Sequence, residues 1–245
     1  MDKITSGIID KLGIIGFFNV FLSGAVVLYG ISPILKAYTP GIFYLQLGLE
    51  RDLEKAIVVC LLCFLFGLAL QSMQELLFKG IKSIVANKCL GSEDLDKEGN
   101  PVKKGVLVSK YRQEVVIKLA KKLFEEKGLE EFDPEDKAMC SYFVDYCEYS
   151  NSVKGFSSKS SSYNESASFY EQLAVAFYTL VVIGIITMIF SHTNVLLYCL
   201  GYLIMGGLFT RKAYQCRLNW ARAVLSTYEA VYDHERHKKS STLPL

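Results

Sequence analysis

Histidine is scarce in this chain: there are three in 245 residues, at positions 192, 234 and 237. His234 and His237 stand one helical turn apart, but no third ligand accompanies them, and a zinc centre takes at least three from the protein. The phosphate loops G-x-x-x-x-G-K-[ST] and G-x-G-x-x-G do not occur, nor do H-E-x-x-H and G-x-S-x-G. With no catalytic constellation to assemble, the sequence points away from an enzyme and calls for no cofactor and no resident metal. Seven cysteines (60, 63, 89, 140, 147, 199 and 216) are present, but their spacing fits neither a zinc module nor a disulfide framework. Cys60 and Cys63 form C-x-x-C inside an apolar run, where buried thiols are the simpler reading than a redox pair. Net charge is nearly absent as well, at +2, which argues against wholesale nucleic-acid binding.

Long apolar runs are what the sequence has in plenty. Leu12–Leu35 holds 24 residues without a charge. As a helix it rises about 36 Å at ~1.5 Å per residue, more than the hydrocarbon core of about 30 Å. A cleavable leader needs a shorter apolar core and a small-residue cleavage site, whereas Pro33 and Lys36 close this run. Further runs follow at 56–74, 173–191 and 195–210, the last two parted only by His192-Thr193-Asn194. Residues 1–11 space Ile4, Ile8 and Ile9 as an interfacial helix would. The 36–55 connector carries a Pro40-Gly41 turn and the interfacial aromatics Tyr38, Phe43 and Tyr44. Glu75, Lys79 and Lys82 suggest that the second helix runs on beyond the membrane surface. No span carries a Lys, Arg or Asp midway, and no inverted repeat of interrupted helices is visible, which counts against a coupled transporter.

Between the second and third runs lies a polar insertion, residues 83–169. Its 91–105 stretch reads as a hairpin or loop; Asp94, Asp96, Glu98 and Gly99 imitate a calcium loop, but Gly105 stands where the bidentate Glu belongs. Ser109–Lys127 is patterned as an amphipathic helix with Val116, Leu119, Ala120 and Leu123 on one face, stopped by Gly128. Asp133-Pro134-Glu135-Asp136 is expected to open the next helix, with the proline in its first turn and Met139, Phe143, Tyr146 and Cys147 on one side. The serine-rich residues 154–162 read as a loop or frayed junction, with helix resuming from Tyr163. Beyond the fourth run, Tyr214, Leu218, Ala221, Leu225, Tyr228 and Tyr232 repeat at three- and four-residue steps, a seam for another helix on a cytosolic extension of that span.

Lys79, Lys82, Arg211, Lys212 and Arg217 flank the spans on the side that joins the insertion and the tail, while the 192–194 turn has neither Lys nor Arg. Positive charge gathers on cytoplasmic loops. The expected fold is therefore an all-α membrane protein. It has four transmembrane helices, a helical cytosolic insertion between spans 2 and 3, a cytosolic C-terminal helix, and both termini in the cytoplasm at the cell inner membrane. The expected divisions are 1–82, 83–169, 170–212 and 213–245.

Three features carry functional expectations. Gly16, Asn19, Ser23, Val27 and Gly30 share one face of the first span, suited to helix packing or, around an oligomer axis, to lining a wet pore. Gln71, Ser72, Gln74 and Glu75 lie at the inner end of the second span; in a symmetric oligomer Gln71 and Glu75 would stack as rings, and acidic rings favour cations. Finally, residues 79–122 carry a net +6 and residues 123–170 a net −6. The basic half, with Lys103, Lys104, Lys110, Arg112 and Lys118, could take an anionic headgroup or phosphate-bearing ligand, or dock on the acidic half.

With the span pairs 12–35/56–74 and 173–191/195–210 bracketing the 83–169 insertion, the layout resembles the small membrane effectors of bacterial antiphage systems, such as the membrane subunits of Kiwa and Hailong. The resemblance implies a tetrameric bundle governed by a cytosolic region that senses a protein partner or a nucleotide signal. The expected function is a homo-oligomeric, gated ion-permeable pore in the lipid bilayer. Its axis would be lined by Gly16, Asn19, Ser23, Val27, Gly30, Gln71 and Glu75. A non-conducting scaffold that recruits a cytosolic partner, or a lipid-sensing regulator, are the other expectations.

Overall fold

A computed structural model describes residues 14–38, 52–90, 110–191 and 195–241. Among the described residues there are seven helices and no strand: α1 (Ile14–Tyr38), α2 (Asp52–Phe78), α3 (Ile81–Leu90), α4 (Lys110–Glu126), α5 (Lys137–Val153), α6 (Ser158–Ser191) and α7 (Leu196–Ser241). The expected helix at 1–11, most of the 36–55 connector, the 91–105 loop and the 192–194 turn lie outside the described residues, as do Lys103 and Lys104.

Two helical stretches are long and apolar enough to cross a membrane, Ala56–Phe78 with 23 residues and Ser158–Phe190 with 33. Gly16–Ile31 is a shorter apolar stretch. The apolar start of α7, Leu196–Thr210, rises only about 22 Å before Arg211 and Lys212 interrupt it.

By contacts the chain divides into two compact units, one of Met1–Lys79 and Ser168–Ala213, the other of Gly80–Ala167 and Tyr214–Leu245. In the first unit α1 and α2 cross at glycines. A Cβ on Gly24 would run into the Cys63 carbonyl, and one on Gly67 into that of Val20, so the two backbones meet with no side chain between them. Val27, Leu70, Val175 and Ala176 form the apolar centre, with Val26 and Phe78 against it.

The second unit has a helical core of its own. Val85, Cys89 and Leu90 of α3, Val116, Ala120, Leu123 and Phe124 of α4, Phe143, Val144 and Cys147 of α5, and Trp220, Val224 and Leu225 of α7 are all buried together. Each buried Val, Leu or Phe among them contributes about 1.5–3 kcal/mol by leaving water. The tail's repeating seam is thus answered within the chain: Tyr214, Leu218, Ala221, Leu225 and Tyr228 pack on this core.

The second apolar run continues as helix beyond Gln74 to Phe78, where Lys79-Gly80 turn the chain into α3, the helix that carries Lys82. Two local expectations are corrected. Pro134 is not in the first turn of α5. Asp133 Oδ1 accepts from the Glu135 N–H at 2.9 Å, which holds 133–135 as a turn, and Asp136 caps the helix through Ala138 N–H at 2.7 Å and Met139 N–H at 3.3 Å. Nor is 154–162 a loop throughout. Gly155 at φ 78° and Lys154 end α5, and α6 begins at Ser158 with the Ser157 carbonyl accepting from Ser160 Oγ and Ser161 N–H. Serine hydroxyls here serve the helix start instead of competing with it.

Candidate functional site: the polar interior of the apolar unit

On α2, Cys63, Gly67, Leu70 and Gln74 fall at steps of four, three and four, and this stripe turns inward. On α6, residues 171–176 are all buried. Glu171 is 1% exposed, Gln172 5% and Gln74 7%. The two stripes are joined by a hydrogen bond: Gln74 Nε2 donates to Glu171 Oε2 at 2.7 Å. Gln172 Oε1 is buried without a hydrogen-bond partner. An ionisable side chain and two carboxamides therefore lie inside a unit whose outside is apolar. A hydrogen bond to a carboxylate in such surroundings is stronger than the same bond in water.

Next to Glu171, Tyr170 stacks on Phe209 of α7 with centroids 6.1 Å apart, and Phe177 stacks on Phe209 at 5.6 Å. Thr210 Oγ1 donates to the Gly206 carbonyl at 2.9 Å, which leaves it to accept from the Tyr178 hydroxyl, also at 2.9 Å. Farther along α7, the Tyr202 hydroxyl donates to the Gly30 carbonyl of α1 at 2.7 Å. The interior contacts of this unit are thus polar or aromatic at several points where a soluble bundle would place aliphatic side chains.

The residues expected to line an axis are dispersed. Ser23 and Val27 are buried, and the Ser23 hydroxyl donates to its own helix at Val20 O, 2.9 Å away. Gly30 is partly buried beneath Tyr202, with Leu180 where its Cβ would be. Gly16 and Glu75 are exposed, while Asn19 and Gln71 are half-buried. Glu171 stands two residues before the charge-free run 173–191, which is why the apolar pattern alone does not place it inside the unit. The signal was present: Ala167, Glu171 and Ala174 fall at steps of four and three, and all three are buried.

In the second unit Lys118 is exposed; the side chains of Lys110 and Arg112 lie outside the description. The basic and acidic halves of the insertion meet at Lys121–Glu131, 3.3 Å, and Lys122–Glu126, 3.7 Å, both solvent-facing and worth little. Several lysines cover rings instead: Lys82 over Trp220, Lys88 over Tyr214, Lys127 over Tyr146. Burial pushes the Cys89 thiol up to about 12 and that of Cys140 to about 11, and raises that of Cys147. These thiols stay protonated at neutral pH and are poor nucleophiles. Partial desolvation raises the Asp145 carboxyl above its ordinary value, against the pull of Lys82.

Comparison with known protein families, with characterised proteins and with solved structures gives no match.

Proposed function

We propose that the chain is a homo-oligomeric inner-membrane protein with four transmembrane helices and cytoplasmic termini. It acts as a gated ion-permeable pore whose second unit is the cytosolic control domain. The observation that carries this reading is the inverted polarity of the first unit. Phe17, Leu65, Leu76, Ile189, Phe190 and Leu197 lie on its surface, with Phe190 78% exposed, while Ser23, Gln74, Glu171 and Gln172 lie inside. Water would not tolerate that surface over so large an area, whereas lipid requires it. An ionisable group within such a unit is the expected mark of an ion or proton path. Gly16, Asn19, Gln71 and Glu75, not sealed inside the protomer, remain free for an oligomer axis. In this reading Ser23, Val27 and Gly30 hold the protomer together, and the resemblance in layout to the Kiwa and Hailong membrane subunits supports a role as an antiphage effector assembled from four copies.

The second reading, a non-conducting scaffold, is favoured by one observation. Tyr142, Tyr149 and Val153 recur at helical spacing on the outside of α5, and Tyr149 is 70% exposed. Such a stripe on a soluble unit suits a protein partner. Ion flux through liposomes, after the oligomer mass is measured in detergent, separates the two. A defined oligomer that leaks, with the leak altered by Asn19→Leu, Glu75→Gln or Glu171→Gln, is the expected result. A silent monomer or dimer overturns the pore and leaves the scaffold.

A further inference from the structure

Among the first-unit residues whose side chains are described, Lys79, Arg211 and Lys212 are the exposed cations, set against one exposed acid, Glu75. Lys79 directly follows α2 while Arg211 and Lys212 lie on α7, and contacts bring the ends of these elements to a common level. Gln74 of α2 bonds Glu171 of α6, and Tyr170, the residue before Glu171, stacks on Phe209 of α7. Phe78, the last residue of α2, is four residues or about 6 Å of helical rise beyond Gln74, with Lys79 next, and Arg211 follows Phe209 by two, about 3 Å. The cations therefore gather at one end of the unit, just beyond a layer that contains Tyr170 and Phe209 and beside the outward-facing Leu76, Leu77 and Leu208.

We propose that this end of the first unit is a seat for the phosphate headgroups of anionic phospholipids, with their acyl chains on the Leu76, Leu77 and Leu208 surface. The inference rests on the membrane reading above and adds lipid selectivity to it. The chemistry is that of a polar–apolar border: cations attract the anionic headgroup, aromatic rings occupy interfacial depth, and aliphatic side chains continue the surface toward the acyl tails. A zwitterionic headgroup, whose own ammonium offsets its phosphate, offers these three cations little net attraction. A soluble phosphate would meet the cations but gain nothing from the leucines, which is why a lipid is the occupant.

The test uses the full chain. After extraction of membranes expressing it, the purified protein is exposed in mild detergent to equal amounts of phosphatidylglycerol and phosphatidylcholine with matched acyl chains. Retained lipid is then counted by native mass spectrometry. The expected result is retention biased toward phosphatidylglycerol, weakened by salt, and reduced about fivefold for each of Lys79→Gln, Arg211→Gln and Lys212→Gln. Because all three side chains are exposed, the variants should fold, and Lys159→Gln, an exposed lysine of the second unit, serves as the control that keeps the bias. Equal retention of both lipids by the unaltered protein, or an undiminished bias in the triple variant, overturns the lipid seat alone. Recovery of the chain in the soluble fraction before extraction overturns the membrane reading and the lipid seat with it.

Discussion

Trp220 lies almost wholly inside the second unit, gives its Nε1 hydrogen to Glu148 Oε1 at 2.8 Å and carries Lys82 over its ring. Asn151, also buried, donates through Nδ2 to the Val224 carbonyl at 2.9 Å but leaves its Oδ1 without a partner. Truncation should affect the two very differently. Trp220→Ala removes a large buried ring and orphans part of the Glu148 carboxylate, at a cost of about 3–5 kcal/mol. Asn151→Ala loses one hydrogen bond yet also removes an unsatisfied buried oxygen, so it should cost about 1 kcal/mol or less. Chemical unfolding in detergent, followed by tryptophan fluorescence for Asn151→Ala and by helical circular dichroism for both, checks the order. Equal destabilisation would contradict this account of the α5–α7 seam.

Among the elements, α1 and α2 are held by the absence of side chains at Gly24 and Gly67, so methyl groups there should separate the helices. Gly24→Ala or Gly67→Ala should lower the melting temperature of the detergent-solubilised protein by several degrees, while Gly16→Ala and Gly201→Ala, with open space where the Cβ would go, should leave it within a degree or so. Helix existence was legible in the sequence because apolar residues recur at three- and four-residue steps: the faces read for the fourth and fifth helices supply Val116, Ala120, Leu123, Phe143 and Cys147 to the core. Glycines 128 and 155 differ in this respect. Gly128 was readable as a stop, while the junction at Gly155 was blurred by flanking serines whose hydroxyls can favour either a turn or a helix start. The Gln74–Glu171 bond was not legible, since it joins residues 97 apart and depends on which faces of two long apolar helices meet. Periodicity assigns a face to each helix but does not pair faces.

At the scale of the whole molecule, the two units obey opposite rules of solvation: one hides carboxylate and carboxamide beneath Leu, Ile and Phe, the other hides Phe and Trp beneath charge. If the first unit is embedded in lipid, alkaline carbonate should leave the full chain with the membrane pellet, and Lys118→Cys should react with a charged maleimide only from the cytoplasmic side of vesicles. Release by carbonate would remove the membrane reading. Labelling from the outside would reverse the orientation without removing it.

The second unit is also discontinuous in the chain. Its core is begun by α3, α4 and α5 and completed by Trp220, Ala221, Val224 and Leu225, which come after the last apolar stretch. A ribosome adding roughly 5–20 residues per second takes several seconds to pass from Val153 to Trp220. During that interval Val116, Leu123 and Phe143 have no α7 to cover them, so the nascent domain depends on a chaperone or on prompt synthesis of α7. If the first unit is embedded in lipid, that maturation is timed by the membrane machinery, although the finished core resembles that of a domain able to fold in water.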